Sequence, residues 1–138
     1  MNLQRTINPD GTLGSYRLPD GLKNYLIDID GTICDDIPNE EPERIPTAKE
    51  VPNAKNILNG WYDKGHIITF FTARTLEHKE ATEAWLKEHG FKYHGVIYNK
   101  PRGGSYHLID DRSVRATQFK GKFTELVKTP KEIWIFEE

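Results

Sequence analysis

The sequence holds a single cysteine among 138 residues, so no disulfide can form within the chain. That lone residue, Cys34, excludes a disulfide scaffold and suits a reducing compartment. No apolar run approaches the roughly 20 residues that a membrane helix needs. The first ten residues, Met1 to Asp10, are polar, so no secretory leader is expected. There is no Lys/Arg-rich block either. Basic and acidic residues number 19 and 21, which argues against a nucleic-acid surface as the main business and leaves room for a local basic pocket. No internal repeat is present, and the five histidines (His66, His78, His89, His94 and His107) show no metal-ligand pairing. The expectation is one cytoplasmic domain over residues 1–138, large enough for a real core and without a membrane segment.

What the chain does have is the stretch Tyr25-Leu26-Ile27-Asp28-Ile29-Asp30-Gly31-Thr32. An apolar run that stops at two acids spaced i, i+2 and then a Gly reads as a buried central strand ending in a turn. In an open α/β sheet, ligands bind beyond the carboxyl ends of the strands, so Asp28 and Asp30 are candidate site residues. Two carboxylates this close are costly without a cation, and oxygen-only ligation suits Mg²⁺.

The remaining chain alternates strand and helix signals. Residues 1–22 read as an irregular or hairpin-like lead-in, with turn signals at Asn8-Pro9-Asp10-Gly11 and Leu18-Pro19-Asp20-Gly21, and as a flap over a sheet edge. The first core strand is expected over Asn24 to Ile29. Residues 33–52 carry Pro38, Pro42, Pro46 and Pro52 and read as a surface loop leaving the site, a candidate lid or substrate-contacting flap, or a solvated connector. A helix with Pro52 in its first turn follows, packing Ala54, Ile57, Leu58, Trp61 and Tyr62 and stopping at Gly65. A second strand, His66 to Phe71, ends in Thr72-Ala73-Arg74, and a helix runs from about Leu76 to His89. A third strand, about Gly95 to Tyr98, ends at Asn99-Lys100-Pro101. After a flexible Arg-Gly-Gly-Ser turn, a fourth strand over Tyr106 to Ile109 ends in Asp110-Asp111. A short helix with Phe123, Leu126 and Val127 apolar and an edge strand over Glu132 to Phe136 complete the reading. The βαβα order implies a three-layer, Rossmann-like, mostly parallel sheet with helices on both faces.

Four successive strand ends thus carry Asp28 and Asp30, Thr72, Lys100, and Asp110 with Asp111, and in a βα protein those ends converge on one crevice. As a set, Asp-Ile-Asp-Gly-Thr, Phe-Thr-Ala-Arg, Asn-Lys-Pro and Ile-Asp-Asp resemble the four motifs of the haloacid dehalogenase-like (HAD) phosphatases, over roughly Tyr25 to Phe119. More narrowly, Thr72-Ala73-Arg74, Trp85-Leu86-Lys87-Glu88-His89-Gly90, Lys100-Pro101 and Ile109-Asp110-Asp111-Arg112 resemble small members linked to capsule and surface-polysaccharide biosynthesis.

The resemblance implies an Mg²⁺-dependent phosphomonoester hydrolase for a sugar phosphate or small polyol phosphate. Asp28 would be the nucleophile that forms an aspartyl-phosphate, and Asp30 the general acid and then base. Mg²⁺ would be held by the Asp28 carboxylate, the Asp30 backbone carbonyl and Asp110, with Asp111 acting through water. Thr72 and Lys100 complete the implied catalytic set, and Thr72, Ala73, Arg74 and Lys100 the substrate contacts. Arg74 lies outside the general motifs; following Thr72, it is a candidate fork onto a substrate phosphate or carboxylate. Both gaps that hold a cap domain in the family are filled here by the Pro-rich loop and by one helix and strand. The resemblance is therefore to a capless member, whose open site suits a large substrate or a cap lent by a second copy in a homo-oligomer. The competing readings are a polynucleotide phosphatase and a phospho-ligand-binding module without turnover.

Overall fold

Tyr25, Leu26 and Ile27 are apolar and have high strand propensity, and they pair as the sequence pattern demands. In the computed structural model, which describes residues 4–123, five strands are present among those residues: β1 (Gln4–Ile7), β2 (Leu13–Arg17), β3 (Asn24–Ile27), β4 (Ile67–Phe71) and β5 (Gly95–Ile97). Helices α1 (Ala54–Asp63) and α2 (Lys79–Glu88) connect the last three strands. Strands β3, β4 and β5 form a parallel sheet in that order, with Tyr25 opposite Ile68, Ile27 opposite Phe70, and Phe71 opposite Ile97. This is the mixed α/β, Rossmann-like arrangement that the alternation implied, except that the described helices cover one face of the sheet and not both.

The register decides what each face does. Side chains alternate along a strand, so Tyr25, Ile27, Ile68 and Phe70 share one face. That face is the core: Ile68 and Phe70 are fully buried together with Ala54 and Leu58 of α1 and Leu86 of α2. Tyr25 stacks on Trp61 of α1 at 4.2 Å between ring centres, and Phe70 meets Phe91, just past α2, edge-on. Trp85 of α2, 2% exposed, donates its indole N–H to the Ala48 carbonyl at 3.0 Å. Both described helices therefore pack on one side of the sheet. Leu26 and Ile97 lie on the other face and are exposed. Leu126, Val127 and the expected edge strand Glu132 to Phe136 lie outside the described residues.

Local chemistry shifts some boundaries. Helix α1 begins at Ala54, not in a first turn holding Pro52, because Asn53 takes a left-handed conformation (φ 67°) as its N-cap. The turn Leu76–His78 is a 3-10 helix that runs into α2, and His89 and Gly90 (φ 75°) close it. No described helix is long and apolar enough to cross a membrane.

Three segments differ from the sequence reading. The lead-in is a β1–β2 antiparallel hairpin, but Ile7, Leu13 and Tyr16 are exposed, whereas a flap covering a sheet edge would bury one face. The Pro-rich stretch is neither a free lid nor a solvated strap. Its residues Ile33, Ile37, Ile45 and Ala48 are buried, Pro42–Thr47 forms a 3-10 helix, and Val51 N–H bonds the Ile33 carbonyl. Finally, Tyr106 to Ile109 forms no strand; the segment is irregular and exposed. Gly103 and Gly104 both take positive φ (80° and 69°), a conformation open to glycine, and interrupt the extended chain. The Tyr106 hydroxyl then donates back to the Pro101 carbonyl, which holds the segment beside the turn.

Candidate active site

The strand ends build the site. Beyond β3 the chain folds over Gly31 (φ 74°), with Thr32 N–H and Ile33 N–H both donating to the Ile29 carbonyl and Gly31 N–H to that of Cys34. This tight turn leaves Asp28 at the rim, its side chain 40% exposed, and tucks Asp30 inward at 14%. The ends of β4 and β5 continue side by side: Thr72 N–H bonds the Ile97 carbonyl, Lys100 N–H bonds the Thr72 carbonyl, and Asn99 N–H bonds the Arg74 carbonyl. A left-handed Asn99 (φ 63°) redirects the chain just before Lys100.

Lys100 reaches across to Asp28, with Nζ 3.1 Å from Oδ1, while Thr32 Oγ1 lies 3.4 Å from Oδ2. The ammonium also sits over the Phe71 and Tyr106 rings, 5.4 and 5.3 Å from their centres. Such rings attract a cation through their negative faces and narrow its approach to one side. A carboxylate at an open rim with a fixed cation beside it is suited to meet a phosphoryl group, whose equatorial oxygens need positive charge.

Asp30 is in a different state. Arg74 forks onto it, Nε donating to Oδ2 at 2.9 Å and Nη2 to Oδ1 at 2.8 Å, and Ile37 N–H adds a bond to Oδ1 at 3.2 Å. Arg74 is 2% exposed, and its remaining donors go to Thr82 Oγ1 of α2 (3.1 Å) and Cys34 Sγ (3.8 Å). Burial works against its charge, but the hydrogen bonds and the charge of Asp30 outweigh this and hold the guanidinium above its ordinary pKa. The fork proposed for a substrate anion thus closes on Asp30 instead. The chain bends just past β4, where Arg74 N–H folds back onto Thr72 Oγ1 and the Arg74 side chain is buried with Thr72. Burial likewise pushes the Cys34 thiol up to about 12, the mark of an inert packing residue.

Thr72 is fully buried at the strand end, and its hydroxyl oxygen accepts Arg74 N–H at 3.1 Å, which leaves its own O–H free to donate. The Ala73 carbonyl accepts Asn39 Nδ2 at 3.1 Å, tying the Pro-rich loop to the β4 end. Two residues that carried no signal in the motifs therefore matter: Thr82, which backs Arg74, and Asn39, which anchors the loop.

Asp110 and Asp111 are exposed in the irregular segment, and Asp110 Oδ1 accepts Arg112 N–H at 3.1 Å, a bond that holds its carboxyl below the usual carboxylate range. Among the described residues no three His, Cys, Asp or Glu side chains gather where they could hold a metal ion. The Asp28 carboxylate is paired with Lys100, and Asp110, the other side-chain donor expected beside the Asp30 carbonyl, is not gathered with it. The described arrangement does not fit Mg²⁺ as the motifs imply it.

A family model described as "PITM 1-3, LNS2 domain" matches residues 25–121, well over half of the chain. Among solved structures, a chain in the "Structure of Pnkp1/Rnl/Hen1 complex" superimposes with a TM-score of 0.53 at 16% identity. That match covers 70% of this chain and 39% of the other, so this chain spans well under half the length of its structural neighbour. At such identity the likeness is one of fold. Among curated proteins, none matches.

Proposed function

The chain belongs to the PITM 1-3, LNS2 domain family, a HAD-like phosphatase domain, and from that premise we propose that it hydrolyses phosphomonoesters through an aspartyl-phosphate at Asp28. The observation that carries the reading is the meeting of Asp28 with Lys100 at 3.1 Å, beside the buried Thr72, from three separate strand ends.

In the proposed reaction an Asp28 carboxylate oxygen attacks phosphorus, and the bond from phosphorus to the ester oxygen breaks. Lys100 and the Thr72 hydroxyl face the phosphoryl oxygens as charge builds on them. Asp30, carrying a proton on Oδ2 when the ester binds, gives it to the leaving oxygen, then regains one from the water that cleaves the phospho-enzyme. An ionised carboxylate offers about four acceptor sites. Three of these on Asp30 are filled by Arg74 and Ile37, which leaves a lone pair on Oδ2 for the travelling proton.

The finer parts of the proposal are a sugar phosphate or small polyol phosphate as substrate, a place in surface-polysaccharide synthesis, and an Mg²⁺ requirement. The last demands that Asp110 approach Asp28, and chelation followed by Mg²⁺ tests it: full turnover in excess chelator would remove the metal from the scheme. The central test is acid quench during a single turnover on labelled ester. A hydroxylamine-sensitive phospho-protein is expected in the wild type and none in Asp28→Asn. Turnover that persists in Asp28→Asn would refute Asp28 as nucleophile.

A further inference from the structure

We propose that Arg74 and Thr82 are positioning residues for the acid/base Asp30, and that together they dedicate one atom, Oδ2, to proton transfer. The inference rests on the reading of Asp30 as acid and base given above. It starts from a count of bonds. Oδ1 accepts two N–H groups, from Arg74 Nη2 and Ile37, and is filled; among the described residues Oδ2 accepts Arg74 Nε alone. The fork fixes the plane of the carboxylate, because two parallel N–H bonds cannot both survive its rotation. The free lone pair of Oδ2 therefore points in one direction.

What holds the fork is equally specific. A guanidinium is planar and rigid, so its third contact, Nη1 to Thr82 Oγ1 at 3.1 Å, sets the orientation of the whole group. Thr82 is 1% exposed on α2, and α2 is fixed by Trp85, whose indole bonds Ala48 in the Pro-rich loop. The loop in turn offers Ile37 N–H to Oδ1. Asp30 is thus gripped from the core helix on one side and from the loop on the other. Neither Thr82 nor Arg74 needs to touch substrate for this: Arg74 spends its fork on Asp30, and Thr82 Oγ1 accepts from Arg74.

The test uses the full chain and two esters, a sugar phosphate with a poor leaving group and p-nitrophenyl phosphate with a good one. Thr82→Val removes the hydroxyl at nearly constant volume, and Thr82→Ser restores it. Arg74→Lys keeps the charge and loses the fork. For Thr82→Val, kcat on the sugar phosphate should fall about tenfold, the weight of one buried hydrogen bond, with KM within about twofold and Thr82→Ser near wild type. Arg74→Lys should lose more, up to the roughly 10²–10⁴-fold that general acid–base help is worth, and far less on p-nitrophenyl phosphate in the phosphorylation step. In an Asp30→Asn background neither change should lower kcat further. A raised KM at constant kcat would make Arg74 a substrate ligand and overturn the proposal. So would equal losses with and without Asp30, or a Thr82→Val variant whose only change is a lower Tm. If the wild type forms no phospho-protein and turns over no ester, the phosphatase reading itself fails and this proposal falls with it. An active wild type with additive losses refutes the positioning alone.

Discussion

Removing the Asp30 carboxylate should cost more stability than its place at a site rim suggests. Asp30→Ala deletes the partner of a guanidinium that is 2% exposed, together with the acceptor for Ile37 N–H. Thr82 Oγ1 and Cys34 Sγ are the contacts left to Arg74, and neither carries the compensating charge. Breaking a buried ion pair from one side costs about 3–5 kcal/mol, because the stranded charge cannot neutralise or reach water. Against a total stability of about 5–15 kcal/mol, that is about a fifth or more of the fold's margin. The reverse deletion, Arg74→Met, should cost less, since the Asp30 side chain is 14% exposed and water can reach it. Removing both charges should then recover much of the Asp30→Ala loss, because a buried pair can be replaced by apolar groups at little net cost. Urea melts of the two single variants and the double variant, compared at constant m, give the coupling directly. An Asp30→Ala loss below about 1 kcal/mol, or single losses that simply add in the double variant, would refute the idea that this pair is a desolvated core element.

Lys100→Met should leave folding intact but lower kcat about 10²–10³-fold, the usual loss when one preorganised charge donor is removed, and slow the build-up of phospho-protein in the acid-quench assay. Ile37→Ala should cost about 2–5 kcal/mol in urea melts, because that side chain is 3% exposed inside a loop that a solvated connector would leave wet. For pH, burial lowers the pKa of both His66 and His94 below 6.5, while each accepts a backbone N–H at Nδ1, from Lys23 and Ile68. The unfolded chain then binds more protons, so their contribution is fully present above pH 6.5 and is lost as pH falls from there through the lower folded values. A double His66→Asn, His94→Asn variant, which keeps an acceptor but cannot titrate, should show a flatter Tm between pH 7 and 5; an unchanged slope would assign the acid sensitivity elsewhere.

The parts of the fold visible in the sequence are those where a short-range rule and the tertiary outcome agree. Ala54 and Leu58 repeat at helical spacing and are buried; Ile68 and Phe70 alternate with Thr69 and Phe71 and face the core. Lys100 and Asp28 stand 72 residues apart, yet their meeting follows from topology, since parallel strands deliver their ends to one edge. Where the reading went astray, a correct local signal was outweighed by something beyond it. Proline density did make residues 33–52 a loop, but its isoleucines, two ahead of the first proline and one among them, carry the apolar surface that buries it, so it became part of the core. The four residues Tyr106 to Ile109 look like a strand, yet a strand exists only when another strand accepts its ladder, and the two glycines before it interrupt the extended chain.

Arg74 shows the sharpest form of this. Its place after Thr72 pointed to substrate, while period-2 parity with Ile68 and Phe70 pointed inward. An arginine sent into a core must find a carboxylate to be tolerated there. Asp30, on the turn that closes the first motif, is the carboxylate it finds. Parity alone would put Asp30 with Leu26, on the face opposite Ile27; the turn over Gly31 is what brings its carboxylate to Arg74, and that turn's outcome was not legible in the sequence. The two acids of the motif then part ways for a physical reason: the one at the rim stays open to solvent beside Lys100, and the one beneath it is oriented by Arg74 from the core.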